Sequence, residues 1–132
     1  MPELPLILVV EDEYPLQGVV EEALIDGGFE TDILSSGEEA LTLFRGRVKN
    51  YRALVTDVSL KGRISGWEVA RQVREIDPGC PVIYMTGELV ESGQGTAGRG
   101  EPLCLQKPFR IADVLTLLRD VLSDAPAETR RA

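Results

Sequence analysis

The strongest constraint in this chain is an alternation. Short apolar runs take turns with segments whose apolar residues recur at helical spacing, and most connections between them are short. The runs are residues 4–10, 29–34, 51–57, 81–87 and 103–106. Strand, helix, strand in repeated succession implies parallel strands joined by crossover helices that cover both faces of one sheet. Right-handed crossovers leave few topologies. The fold class is therefore α/β, a doubly wound parallel sheet of five strands.

Local signals set the helices. Pro15 suits a first turn, and Leu16, Val19, Val20, Ala23 and Leu24 make one apolar face that Gly27-Gly28 ends. Ser36 and Glu39 have capping-box spacing, as do Ser65 and Glu68. The helix after Ser36 is expected to bury Ala40, Leu41, Leu43 and Phe44, with residues 45–50 as a polar connection. The helix after Ser65 carries Val69, Ala70, Val73 and Ile76, and Asp77-Pro78-Gly79 stops it. The last helix shows Ile111, Val114, Leu115, Leu118, Val121 and Leu122. Residues 29–34 alternate and are more polar, as suits a strand near the sheet edge. One domain is expected over residues 1–122, with 123–132 as a flexible tail and no effector domain after it.

Charge and composition exclude several functions. The net charge is -8 and the only basic run is Arg130-Arg131, a balance that repels phosphate backbones and argues against direct nucleic-acid binding. With no histidine, His-based catalysis and His metal sites are excluded. Cys80 and Cys104 lack metal-ligand spacing and read as small buried hydrophobes in a reducing cytoplasm. No stretch has the length of a membrane span, and no signal peptide opens the chain.

Four strand ends carry chemistry. The first strand runs into Glu11-Asp12, the third ends on Asp57, the fourth on Thr86, and Lys107 follows the fifth. In a parallel sheet these ends share one edge, where ligands of open α/β sheets bind. Alone, an Asp at a strand end also serves as a turn former, and Glu11 and Asp12 also suit a helix N-terminus. Together, three carboxylates would repel unless a cation held them. A hard divalent ion with oxygen ligands fits, and Mg²⁺ also bridges phosphate oxygens. Carboxylate, Mg²⁺, lysine and hydroxyl together suit phosphoryl transfer to the carboxylate.

With those motifs the chain resembles a response-regulator receiver domain of bacterial two-component signalling, over about residues 5–122. The resemblance implies a flavodoxin-like sheet in 2-1-3-4-5 order. It implies Asp57 as phosphoacceptor, and Asp12, Glu11, Asp57 and the Ser59 backbone carbonyl as ligands of Mg²⁺, with Mn²⁺ as a substitute. Lys107 would pair with Asp57 and then with the phosphoryl group, Thr86 would hydrogen-bond it, and the Lys107-Pro108 bond would be cis. A sensor histidine kinase or histidine phosphotransfer protein would be the donor, and a further protein the downstream target.

Three features depart from the family pattern. Glu11 replaces an Asp, and the loop after Asp57 is one residue longer and lacks the usual Pro, as in a stand-alone subgroup. Cys104 replaces the aromatic residue that swings with the Thr. In addition, residues 88–102, the family's fourth helix, hold Gly93, Gly95, Gly98 and Gly100, so a short or irregular helix is expected there, with a change of order on phosphorylation. The leading reading is a stand-alone receiver with slow autodephosphorylation and no outside substrate. The alternatives are a pseudo-receiver that works without phosphorylation and a hydrolase with an Asp nucleophile. Such hydrolases usually place a second Asp where Ser59 stands.

Overall fold

β1 (Leu6–Val10) and β3 (Tyr51–Asp57) are buried, apolar strands in the interior of the sheet. The computed structural model describes residues 4–46, 49–86, 103–106 and 111–124. The remaining elements are α1 (Tyr14–Asp26), β2 (Glu30–Leu34), α2 (Gly37–Gly46), α3 (Gly66–Ile76), β4 (Val82–Thr86), β5 (Leu103–Gln106) and α4 (Ile111–Asp124). The five strands form one sheet in the order β2-β1-β3-β4-β5, with every described pairing parallel. This is the flavodoxin-like arrangement, with polar β2 at an edge.

Strand alternation divides the core in two. Leu8, Val10, Leu54, Val82 and Tyr84 pack with Ala40, Leu41 and Phe44 of α2 and Val69, Ala70 and Val73 of α3. Ile7, Val9, Ala53, Val55, Ile83 and Met85 pack with Val20 and Leu24 of α1 and Val114 and Leu118 of α4. Burying each large aliphatic side chain contributes about 1.5–3 kcal/mol, so both faces of the sheet are anchored.

Both serine caps form. Ser36 Oγ accepts the Glu39 N–H at 3.2 Å and Ser65 Oγ the Glu68 N–H at 3.3 Å. The faces are narrower than the spacing suggests. Val19 and Leu43 are solvent-exposed, because Val20, Ala23 and Leu24, and Ala40, Leu41 and Phe44, fill arcs of which Val19 marks the rim and Leu43 lies outside. Residues 45 and 46 extend α2 and are not connection, β1 begins at Leu6, and α4 runs on to Asp124 beyond the last apolar position.

Candidate functional site

Register brings the acidic residues together. Val10 of β1 pairs with Thr56 of β3, so one further step sets Glu11 beside Asp57. On the other side Asp57 pairs with Met85, which places Thr86 one residue beyond it. Carboxylate oxygens of Glu11, Asp12 and Asp57 all lie within 4.8 Å of one another. Glu11 is fully buried, Asp57 nearly so, and Asp12 half-buried. Such crowding of like charges in a partly desolvated place is costly, and a hard cation with oxygen ligands removes that cost.

Each carboxylate takes a backbone N–H. Glu13 N–H donates to Glu11 Oε2 at 2.9 Å, Lys61 N–H to Asp12 Oδ2 at 2.8 Å, and Ser59 N–H to Asp57 Oδ1 at 3.2 Å. Gln17 of α1 fixes the turn after β1, its Nε2 donating to the Glu11 carbonyl at 2.5 Å and to Ser35 Oγ at 3.3 Å. The loop from β3 to α3 is closed by Val58 N–H on the Met85 carbonyl and Gly66 N–H on the Val58 carbonyl, both at 2.9 Å. A Cβ on Gly66 would lie 2.0 Å from the Asp57 carbonyl oxygen, so only glycine lets α3 start so close to the acidic strand end.

Thr86 is buried at the end of β4. Lys107 and Pro108 lie outside the described residues, as do 88–102 and 125–132. Cys104 faces Tyr84 across the β5–β4 pair, where Tyr84 and Trp67 pack with ring centroids 4.3 Å apart. Trp67 and Cys104 both join that core. Burial pushes the Cys104 thiol up, and burial with the nearby Asp77 charge pushes Cys80 up to about 12, so both are poor nucleophiles.

A second acidic group sits elsewhere. Asp32 of β2 accepts hydrogen bonds from Tyr51 Oη at 2.7 Å and Lys49 Nζ at 2.9 Å. Desolvation works against its ionisation, but these donors and the lysine charge outweigh it and hold the carboxyl below the usual range. Burial and the Asp32 bond push the Tyr51 hydroxyl up. Asp32 lines a groove of about 720 Å³ at the amino ends of the strands, along with Leu6, Ile25, Phe29, Lys49 and Arg52. The groove shares no residue with the carboxylate cluster.

Sequence reasoning singled out Glu11, Asp12, Asp57 and Thr86, and the structure gathers the three carboxylates at one strand edge with Thr86 at the next strand end. It missed Gln17, Gly66 and Glu38, whose carboxylate accepts the Arg63 N–H at 2.8 Å. Only Gly66 had a signal, as the second glycine of the loop.

Residues 7–119 match the family model of the response regulator receiver domain. The chain is 33% identical over 111 residues to a response regulator receiver protein of Anaeromyxobacter sp. (strain Fw109-5), covering 83% of this chain and 45% of that protein. It is 32% identical over 122 residues to the transcriptional regulatory protein TcrA of Mycobacterium tuberculosis, covering 91% of this chain and 47% of that one. The chain thus spans about half the length of these curated relatives. Among solved structures, a response regulator receiver protein from Sinorhizobium medicae WSM419 superposes with a TM-score of 0.81 at 32% identity, over 92% of this chain and 96% of that one.

Proposed function

The chain belongs to the response regulator receiver domain family, and from that premise we propose that it is switched by phosphorylation of Asp57. The observation that carries this reading is the group of Glu11, Asp12 and Asp57 carboxylates, within 4.8 Å of one another at the end of a central strand. In this reading an Asp57 carboxylate oxygen attacks phosphorus and the donor's leaving group departs from the opposite side. Asp12 holds a divalent ion directly, Glu11 directly or through water, and Asp57 with the Ser59 carbonyl completes the protein's share of ligands. When bound, Mg²⁺ offsets the crowded negative charge and that of the phosphoryl oxygens. Mn²⁺ substitutes for it. The Thr86 hydroxyl hydrogen-bonds a phosphoryl oxygen and Lys107 pairs with the phosphoryl group.

The donor is a sensor histidine kinase or histidine phosphotransfer protein, in the cytoplasm, and the output is contact with another protein. The net charge of -8 supports a protein target over nucleic acid. Among the described residues no helix is long and apolar enough to cross a membrane. We take the receiver to act as a stand-alone module that accepts phosphate from small donors and slowly hydrolyses its own acyl phosphate. Immunoblotting the protein from its native cells tests the stand-alone element, which predicts a species near 14.5 kDa. Incubation with acetyl phosphate, read by intact mass, tests the chemistry. One phosphoryl group should be added, and only with Mg²⁺ or Mn²⁺. No addition, or equal addition without the ion, overturns the proposal.

A further inference from the structure

The loop between β3 and α3 carries the Ser59 carbonyl assigned above to the metal, and it is fastened to three carboxylates. Ser59 N–H donates to Asp57 and Lys61 N–H to Asp12. The third is Glu38, in the first turn of α2 and outside the acidic cluster, whose Oε2 accepts the Arg63 N–H at 2.8 Å. Between these points Gly62 turns the chain at φ +107, in the left-handed region, directly against Glu38: a Cβ there would lie 3.0 Å from Oε1.

Helix capping does not account for Glu38. Ser36 caps α2 with Glu39, its hydroxyl donating to Glu39 Oε1 at 3.2 Å, while Glu38 turns toward the loop. The first turn of α2 also presses against the loop's far end, since a Cβ on Gly37 would meet Ile64 Cγ1 at 2.9 Å and Val69 Cγ2 at 2.5 Å. The backbone N–H of Arg63, then Glu38's own N–H in the first turn of α2, the Arg63 charge and the Ile64 N–H outweigh desolvation and hold the Glu38 carboxyl below the usual carboxylate range. It therefore stays an ionised acceptor at neutral pH.

We propose that Glu38 is a positioning residue for metal uptake, holding the loop from β3 to α3 so that Ser59 and Asp12 are already aligned when the ion arrives. The inference rests on the receiver reading. Its physical content is preorganisation. A metal drawing on the Asp12 carboxylate competes with the Lys61 N–H, and Glu38 is the anchor that this competition leaves untouched.

Mg²⁺ titration of the full chain, followed in ¹H–¹⁵N spectra, tests the proposal alongside thermal melts of each variant. Glu38→Ala should weaken Mg²⁺ binding by about tenfold and speed exchange of the Arg63 amide while the Val55 amide stays protected. Glu38→Gln keeps an acceptor oxygen and should recover most of the affinity. Glu39→Ala removes the capping partner one residue away and should cost stability without changing Mg²⁺ affinity. The proposal is overturned if Glu38→Ala binds Mg²⁺ like wild type, or if Glu39→Ala weakens binding equally. Wild-type protein that takes up no Mg²⁺ would overturn the receiver reading as well. Normal wild-type uptake with an unaffected Glu38→Ala would overturn this inference alone.

Discussion

Two acidic groups on one sheet are built to opposite plans. Asp32, on edge strand β2, draws its donors from side chains: the Tyr51 hydroxyl at 2.7 Å and the Lys49 ammonium at 2.9 Å. Its charge is matched within the fold. Glu11, Asp12 and Asp57 gather three carboxylates within 4.8 Å and receive backbone N–H groups from Glu13, Lys61 and Ser59. Backbone dipoles orient these carboxylates, and three acids held this close repel one another. The first arrangement stabilises a fold. In the proposed reading, the second costs stability and makes a place for a cation and an anion to meet. Hydrogen bonds to an acid therefore do not mark a site by themselves; Glu11, Asp12 and Asp57 stand apart because three carboxylates lie within reach of one ion.

The largest effect that separates the two groups is metal affinity. Asp12→Ala should lower Mg²⁺ affinity by about two orders of magnitude, and Glu11→Ala by less, while Asp32→Ala leaves it unchanged. Titration followed by Trp67 fluorescence or amide shifts checks this. Tight binding by Asp12→Ala with loss in Glu11→Ala would reverse the two roles.

Next comes the backbone beneath the acids. Gly66→Ala drives a methyl against the Asp57 carbonyl, a backbone atom that cannot swing aside. Urea denaturation should show a loss of about 1–3 kcal/mol, with weakened Mg²⁺ uptake.

Without metal, neutralising one member of each group should act with opposite sign. Asp57→Asn relieves repulsion and should raise stability by about 1–2 kcal/mol at pH 7. Asp32→Ala removes matched hydrogen bonds and should lower it by about 1 kcal/mol. The Asp32 carboxyl is depressed in the folded state from an ordinary value of 3.8. Its contribution is thus fully present above that value and lost as pH falls through the folded one. The deficit of Asp32→Ala, measured by denaturation across that range, should shrink in step. The smallest effect is a control outside both groups. Gly18, exposed on α1 with open space around it, should stabilise the chain by about 0.5–1 kcal/mol when changed to Ala.

Much of this contrast was legible in the sequence, and the illegible part has a pattern. Strand alternation, the Ser36 and Ser65 caps and the acidic strand ends are local signals, and they appear where the spacing sets them. Helix faces were read too wide at Val19 and Leu43, because spacing cannot say how broad an arc the sheet covers. Asp32 and Tyr51 are 19 positions apart, and Glu38 and Arg63 are 25 apart. Contacts of that range depend on register and on where a helix end comes to rest. Two adjacent glutamates, Glu38 and Glu39, look alike in sequence, yet one serves the loop and the other the cap.

The central claim is that only the crowded group does phosphoryl chemistry. Wild type, Asp57→Asn and Asp32→Asn should each be incubated with Mg²⁺ and acetyl phosphate and weighed intact. Wild type and Asp32→Asn should gain a single phosphoryl group and Asp57→Asn none. A phosphoryl group retained in Asp57→Asn, or lost in Asp32→Asn, would contradict the account.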